Sequence, residues 1–375
     1  MKEFHFIQEV REQPIVVRKT LEHLKQQLHD LAQFYADRID RIVLIGCGDP
    51  YMLGIAAAYA FERWVGIPAE SIEAAEFTSY RSHLVNGRTL VILITSSGKT
   101  VKVIEAAQQA AQRGAILLAL TNLVPSPITA EITAATDRVL QTQAGWSDSF
   151  PTKQTTTALA TLLALALYWS ETVRYQPLEL VNKLRNELFN QVPASMTAVF
   201  QQEAQIESLA LDYPDAAMYT FVGSGPNWIT AMIGAAKIKE TNQNRAIASN
   251  LEEYAHLHAL PLKDGEPVFL ITTPGPINQR NLLICRWIVE NGGKPIVIGP
   301  PKERELWSSL DVQYVQVDDS NEIFFPLIAV IPLQLFAYYV AIANNSNPDR
   351  PPERGGIGYM QKIIYTSMLE GWEKR

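Results

Sequence analysis

The sequence has little cysteine: Cys47 and Cys285 are the only two in 375 residues. That excludes a disulfide framework and leaves no zinc-ligand spacing. A reducing compartment suits such a chain, and the expected location is cytoplasmic. Positive charge is also short. Thirty-two basic residues stand against thirty-nine acidic ones, a net charge of −7, which argues against a nucleic-acid partner. The N-terminus MKEFHFIQEVREQP lacks an apolar core, so no signal peptide is expected. With 47% apolar and 19% charged residues, general disorder is excluded. Long uncharged runs are scarce. Ile323 to Ala343 is long enough to span a bilayer. It contains Pro326, Pro332 and Gln334 and has no companion span, so it reads as a buried helix entered through proline. Ala158 to Trp169 is too short to cross and reads as another buried helix. No membrane partner is expected.

What is present is a repeat. RIVLIGCGDPYMLGIAAAYAFER from Arg41 and MYTFVGSGPNWITAMIGAAKIKE from Met218 both read as strand, glycine turn and small-residue helix. Gly46 and Gly48 match Gly223 and Gly225 at an offset of 177 residues. VILITSSGKT from Val91 and VFLITTPGPI from Val268 match at the same offset of 177. Two matches at one offset point to a duplicated α/β unit. RIVLIG, TLVILIT and AILLALT are the apolar strand runs of the first half. TFVG, VFLIT and KPIVIG are those of the second. Helical patterns between them imply parallel sheets covered by helices on both faces. The organisation read here is an N-terminal helical segment over 1–30, a first domain over 31–172, a helical linker over 173–212, a second domain over 213–345, and a C-terminal loop and helix over 346–375, with the helix near Tyr359 to Trp372.

The strongest chemical signal is Thr95-Ser96-Ser97-Gly98-Lys99-Thr100. It ends a buried strand and opens a helix, where free N–H groups carry partial positive charge. Helix capping needs one hydroxyl, and this loop has four, which favours a phosphate cradle. GxxxxGK[ST] is absent, so it is no nucleotide P-loop. The second-half loop, Thr272-Thr273-Pro274-Gly275, has fewer hydroxyls, so the halves are expected to do different jobs. Neither GCGDPY nor GSGPNW is GxGxxG, and such turns need glycine for backbone room alone. The segment KIKETNQNRAIASNLEEYAHLH gathers Lys237, Glu240, Glu252, Glu253, His256 and His258. Read blandly it is a solvated face. Read chemically it is a kit for moving a proton beside a carbonyl.

These motifs resemble the sugar isomerase (SIS) domain family, as a tandem pair of flavodoxin-like three-layer α/β/α domains. The likeness is greatest to the isomerase half of glucosamine-6-phosphate synthase and to fructosamine deglycases. IQEVREQPIVVRKTL resembles the leading helix, TSSGKT the phosphate loop, PTKQTTT the S-T-K-x-x-T-T segment, and IPLQLFAYYVAIANNSNPDRP the late helix and loop. The resemblance implies phosphate binding by Thr95, Ser96, Ser97 and Thr100. Gly46, Gly48, Lys153 and Glu253 are implied as further substrate contacts. Lys237-Ile238-Lys239-Glu240 stands in place of the family's K-L-K-E, making Glu240 the implied base and Lys237 the support for charge on oxygen. Glu253-Tyr254-Ala255-His256 fits the family's E-x-x-H, with His256 sixteen residues after Glu240, as implied ring opener. The implied substrate is a phosphorylated sugar or amino sugar, with no metal or organic cofactor. In relatives the histidine comes from the neighbouring subunit, which implies a homodimer with shared sites.

The chain departs from the family at Lys99, where Glu is usual, and at Leu257-His258, where Gly-Pro is usual. It departs again at Asp49-Pro50, where hydroxyls are usual. Gly356 falls where the synthase has a lysine, and Lys362 is out of register. No glutaminase domain precedes the pair, so glutamine-dependent transfer is not expected. The reading is an isomerase, deaminase or deglycase using Glu240 and His256. A bifunctional phosphoglucose/phosphomannose isomerase and a non-catalytic sugar-phosphate sensor stand as alternatives.

Overall fold

The computed structural model describes residues 4–132, 138–275 and 277–350. The expected C-terminal helix and Gly356 lie outside the described residues. By contact the chain divides into two units. The N-terminal unit holds 15–147 and 153–189. The C-terminal unit holds 4–14, 148–152 and 190–350. The segment expected as linker, 173–212, is divided between them after residue 189.

The N-terminal unit contains strands β1 (Arg41–Gly46), β2 (Ala69–Glu73), β3 (Thr89–Ile94), β4 (Ile116–Thr121) and β5 (Val139–Gln141). They form one sheet, ordered β2-β1-β3-β4-β5, and every pairing is parallel. The C-terminal unit contains β6 (Tyr219–Val222), β7 (Ala246–Ser249), β8 (Pro267–Ile271), β9 (Lys294–Gly299) and β10 (Gln313–Gln316). Its order, β10-β9-β8-β6-β7, is the first sheet's order read from the other edge, again all parallel. Both are the flavodoxin-like arrangement. Its ligand crevice opens at the carboxyl ends of the strands where the order reverses, here β1/β3 and β6/β8.

The six strands expected from apolar runs are the inner ones. β3 and β8 are buried along their whole length, because helices cover both faces. The four strands without such a run, β2, β5, β7 and β10, are the sheet edges. They are short, as in AESIE and QYVQ, and only partly buried. An edge strand has one pairing neighbour and needs less apolar surface.

Both apolar helices are core elements. Lys153–Val173 is buried from Gln154 through Ser170. Phe325–Ala343 is long and apolar enough to cross a membrane, yet its most apolar stretch is 83% buried inside the protein. Phe336 meets Phe269 of β8 edge-on at 4.7 Å, and Phe269 stacks on Phe221 of β6 at 4.6 Å. Gln334, fully buried, accepts a 2.7 Å hydrogen bond from the Gln13 side-chain amide on the helix His5–Tyr35. A polar residue in so apolar a helix thus has an internal partner.

Gln13→Leu should cost about 1–3 kcal/mol, because it strands the Gln334 amide. Gln13→Leu/Gln334→Leu should recover most of that loss in a urea unfolding series. A double variant as unstable as the single would show that the pair contributes only packing.

Candidate functional site

The expected phosphate loop follows β3 and opens the helix Val101–Gln112. Thr100 is its N-cap residue, but its side chain makes no capping bond. The Thr100 hydroxyl lies instead 3.0 Å from that of Thr95. Ser97 Oγ accepts from the Lys99 amide at 3.2 Å. Thr95 is buried, Ser96, Ser97 and Thr100 are partly exposed, and Lys99 is exposed. Gly98 has φ +68°, and a Cβ there would lie 2.3 Å from Ser126 Oγ. Glycine alone lets the loop pack this closely. The plain capping role is therefore not how this loop uses Thr100. The first-turn N–H groups of the helix lack a side-chain cap, and a lysine stands beside them.

The neighbouring turn after β1 has a different answer. A Cβ on Gly46 would meet Pro50 at 2.6 Å, and Gly48 has φ +63°. Both glycines thus have a backbone reason to be there. Asp49 begins the helix Asp49–Ala60 and is buried. Its Oδ2 accepts from the Thr155 hydroxyl at 2.8 Å. A carboxylate in the first turn already complements this helix dipole. Thr155 belongs to PTKQTTT, where Lys153 starts the following helix and its carbonyl accepts from Thr157 Oγ1 at 2.7 Å. The Asp49–Thr155 link spans 106 positions, so no local pattern announces it.

Cys47, in the same turn, donates to Glu73 Oε1 at 3.2 Å. Burial, then Glu73, pushes its thiol up to about 12. Burial does the same to Cys285. Neither is a thiolate nucleophile near neutral pH.

In the C-terminal unit the helix Asn227–Asn242 carries Lys237 and Glu240. The Lys237 side chain is fully buried, and its Nζ donates to Glu240 Oε2 at 2.8 Å. Glu240 keeps 25% of its side chain exposed. Lys237, expected to support charge on oxygen, is thus a buried cation directed at Glu240.

His256 lies on the wide π-helical turn Tyr254–His258. Its ring is 77% exposed, with Nε2 3.8 Å from Glu252 Oε2. Glu252 receives two bonds from Arg280, at 2.6 and 2.9 Å, which hold its carboxyl below the usual range. Glu253 is exposed. Arg280 lay outside the sequence reading, since 28 positions separate it from Glu252.

Topology separates Glu240 from His256 within one chain. The helix holding Glu240 runs down to the start of β7, and the turn holding His256 follows β7's end. Four parallel residues lie between, a rise of about 13 Å.

Residues 37–168 match the family model of the SIS domain. The chain carries a SIS domain. Its likeness to a curated relative, glutamine–fructose-6-phosphate aminotransferase [isomerizing] of Corynebacterium diphtheriae, is 31% identity over 365 residues, 93% of this chain and 57% of that protein. The chain therefore spans a little over half the length of the curated relatives it matches. Among solved structures it resembles the C-terminal domain of glucosamine-fructose-6-phosphate aminotransferase from Francisella tularensis, with TM-score 0.86 and 23% identity, covering 93% of this chain and 98% of that one. It also resembles tagatose-6-phosphate ketose/aldose isomerase from Escherichia coli, with TM-score 0.79 and 17% identity, covering 93% and 95%. At these identities the structural matches show the fold. The fold is thus the expected pair of α/β domains, the first matched by the SIS model and the second repeating its strand order.

A thiol titration at pH 8 should find no fast-reacting cysteine in the native SIS protein and two after denaturation. A fast native thiol would mean that the turn after β1 is open and its cysteine reactive.

Proposed function

We propose that this SIS-domain protein is a phosphosugar-processing enzyme, an aldose–ketose isomerase or a deaminase or deglycase of an amino sugar phosphate. One observation carries the reading: Thr95 and Thr100 turn their hydroxyls to each other, leaving the helix start behind them without a side-chain cap. A dianionic ester is the ligand such a place favours. Thr95, Ser96, Ser97 and Thr100 hold the phosphate, and Lys99 adds charge. Lys153 and Glu253 are proposed as further sugar contacts.

Glu240 is the base that moves a proton between C1 and C2 through an enediol or enolamine. Lys237 is a positioning residue for it. A buried ammonium 2.8 Å away favours the ionised carboxylate, and the partial exposure leaves that carboxylate accessible. His256, steered by Glu252, opens the sugar ring. The separation across β7 supports its coming from a second copy, so the working form is a homodimer with shared sites. Two unpaired cysteines suit a cytoplasmic setting.

The test is proton exchange at C1 and C2 in heavy water, with fructose 6-phosphate, glucosamine 6-phosphate and a phosphorylated fructosamine as substrates. Glu240→Gln should slow exchange by roughly 10²–10⁴-fold with binding retained. Binding without exchange in the wild type would mark a sensor instead. Mixing Glu240→Gln with His256→Ala should restore activity that neither has alone, since one heterodimer site then holds both intact groups. Mixtures that stay inactive after subunit exchange would return His256 to its own chain.

A further inference from the structure

Two of the chain's departures from its family's pattern flank one crevice. Lys99 stands on the loop after β3, and Asp49-Pro50 follow the turn after β1. β1 and β3 are neighbours, with Ile45 paired to Leu93, so both turns leave the same end of the sheet. Their helices go to opposite faces. A Cβ on Gly54, in the helix Asp49–Ala60, would lie 3.2 Å from Leu44 Cβ. Val103, Ala106 and Ala107 of the helix Val101–Gln112 cluster instead with Val43 and Ile45. Successive strand residues point to opposite faces. The two helix starts are therefore the two walls of the crevice at the β1/β3 switch point.

The walls carry opposite chemistry. One has four hydroxyls and the exposed Lys99, with no acid from Thr95 to Thr100. The other has Asp49, 7% exposed, whose Oδ2 accepts from the Thr155 hydroxyl at 2.8 Å. Thr155 is buried, so a core residue fixes the position of this carboxylate. Pro50 beside it offers neither a hydroxyl nor an N–H. A phosphate held on the first wall meets repulsion from the second, whereas a cation elsewhere on the same ligand is attracted to it. Both effects are stronger in a water-poor crevice than in bulk water.

We infer that Asp49 selects the substrate: it favours a phosphosugar carrying an ammonium group, an amino sugar phosphate or a phosphorylated fructosamine, over the neutral sugar phosphate. This rests on the reading of the Thr95–Thr100 loop as the phosphate seat. The preference is for charge. Asp49→Asn, which keeps the size and an oxygen that can accept from Thr155, should therefore remove it, and so should Asp49→Thr, which restores a hydroxyl.

Calorimetric titration of the full chain with glucose 6-phosphate, glucosamine 6-phosphate and 1-amino-1-deoxyfructose 6-phosphate measures the preference. At least one amino ligand should bind the wild type roughly tenfold or more tighter than glucose 6-phosphate, the scale of a hydrogen bond to a charged group. Both Asp49 variants should level the affinities. A folded Asp49→Asn that keeps the preference overturns the inference and confines Asp49 to its own helix start. Should neither variant fold, Glu240→Gln decides, because Glu240 is the other carboxylate proposed to meet the sugar. A preference kept in Glu240→Gln upholds the inference, and one lost there overturns it. Weakened binding of all three ligands in Ser97→Ala/Thr100→Ala, with no amine preference in the wild type, overturns the inference and leaves the phosphate seat standing. Undiminished affinity in that double variant overturns the seat, and the inference with it.

Discussion

A helix that starts at the carboxyl end of a parallel strand presents N–H groups with no partner in the helix itself. At the switch point of a flavodoxin-like sheet several such starts converge, and each must find an acceptor. Asp49 supplies a carboxylate from within its own helix and is steadied by Thr155. Glu303 brings a carboxyl to the side chain at the start of the helix Asn278–Glu290. The helix Val101–Gln112 has neither, and its flanking hydroxyls are turned to each other. The contrast is the reason the loop after β3 is the proposed seat of an external anion. Where the chain already supplies a carboxyl, an external anion would meet repulsion.

The acid–base side obeys a second electrostatic rule. An ammonium with no exposure is costly unless a carboxylate meets it, and Lys237 has Glu240 at 2.8 Å. The pair therefore fixes the orientation of Glu240 as it stabilises its charge. His256 faces the opposite situation: an exposed ring with a steering acid, Glu252, that Arg280 keeps ionised. Glu240 is held by its partner with 25% of its side chain exposed, and His256 is a solvent-facing imidazole with 77% exposed. Their placement at the two ends of β7 is the observation behind the proposal that His256 serves a second copy.

Much of this was legible before any coordinates. The inner strands announced themselves because burial on both faces demands unbroken apolar runs. The repeat was visible because Gly46 and Gly223 face the same obstacle: a Cβ at either would strike the backbone of the returning chain. The four edge strands were not legible, since one-sided pairing places little demand on composition. The Phe325–Ala343 helix shows the limit of hydropathy. Its length and apolarity suit a bilayer as well as a core, and the burial around it together with the Gln13–Gln334 amide pair decides for the core.

The chemical assignments divide along the same line. Sequence alone determined the α/β duplication, the hydroxyl loop, and the spacing of Glu240 and His256, because these reside in short runs whose periodicity or local order carries the information. Tertiary structure alone decided that Thr100 leaves its helix uncapped, that Lys237 is buried behind Glu240, that Asp49 is taken by Thr155, and that Glu303 reaches Asn278. Each depends on where a side chain ends up relative to elements far along the chain or to solvent. Burial and hydrogen-bond partnership are properties of the packed molecule, and no local pattern encodes them.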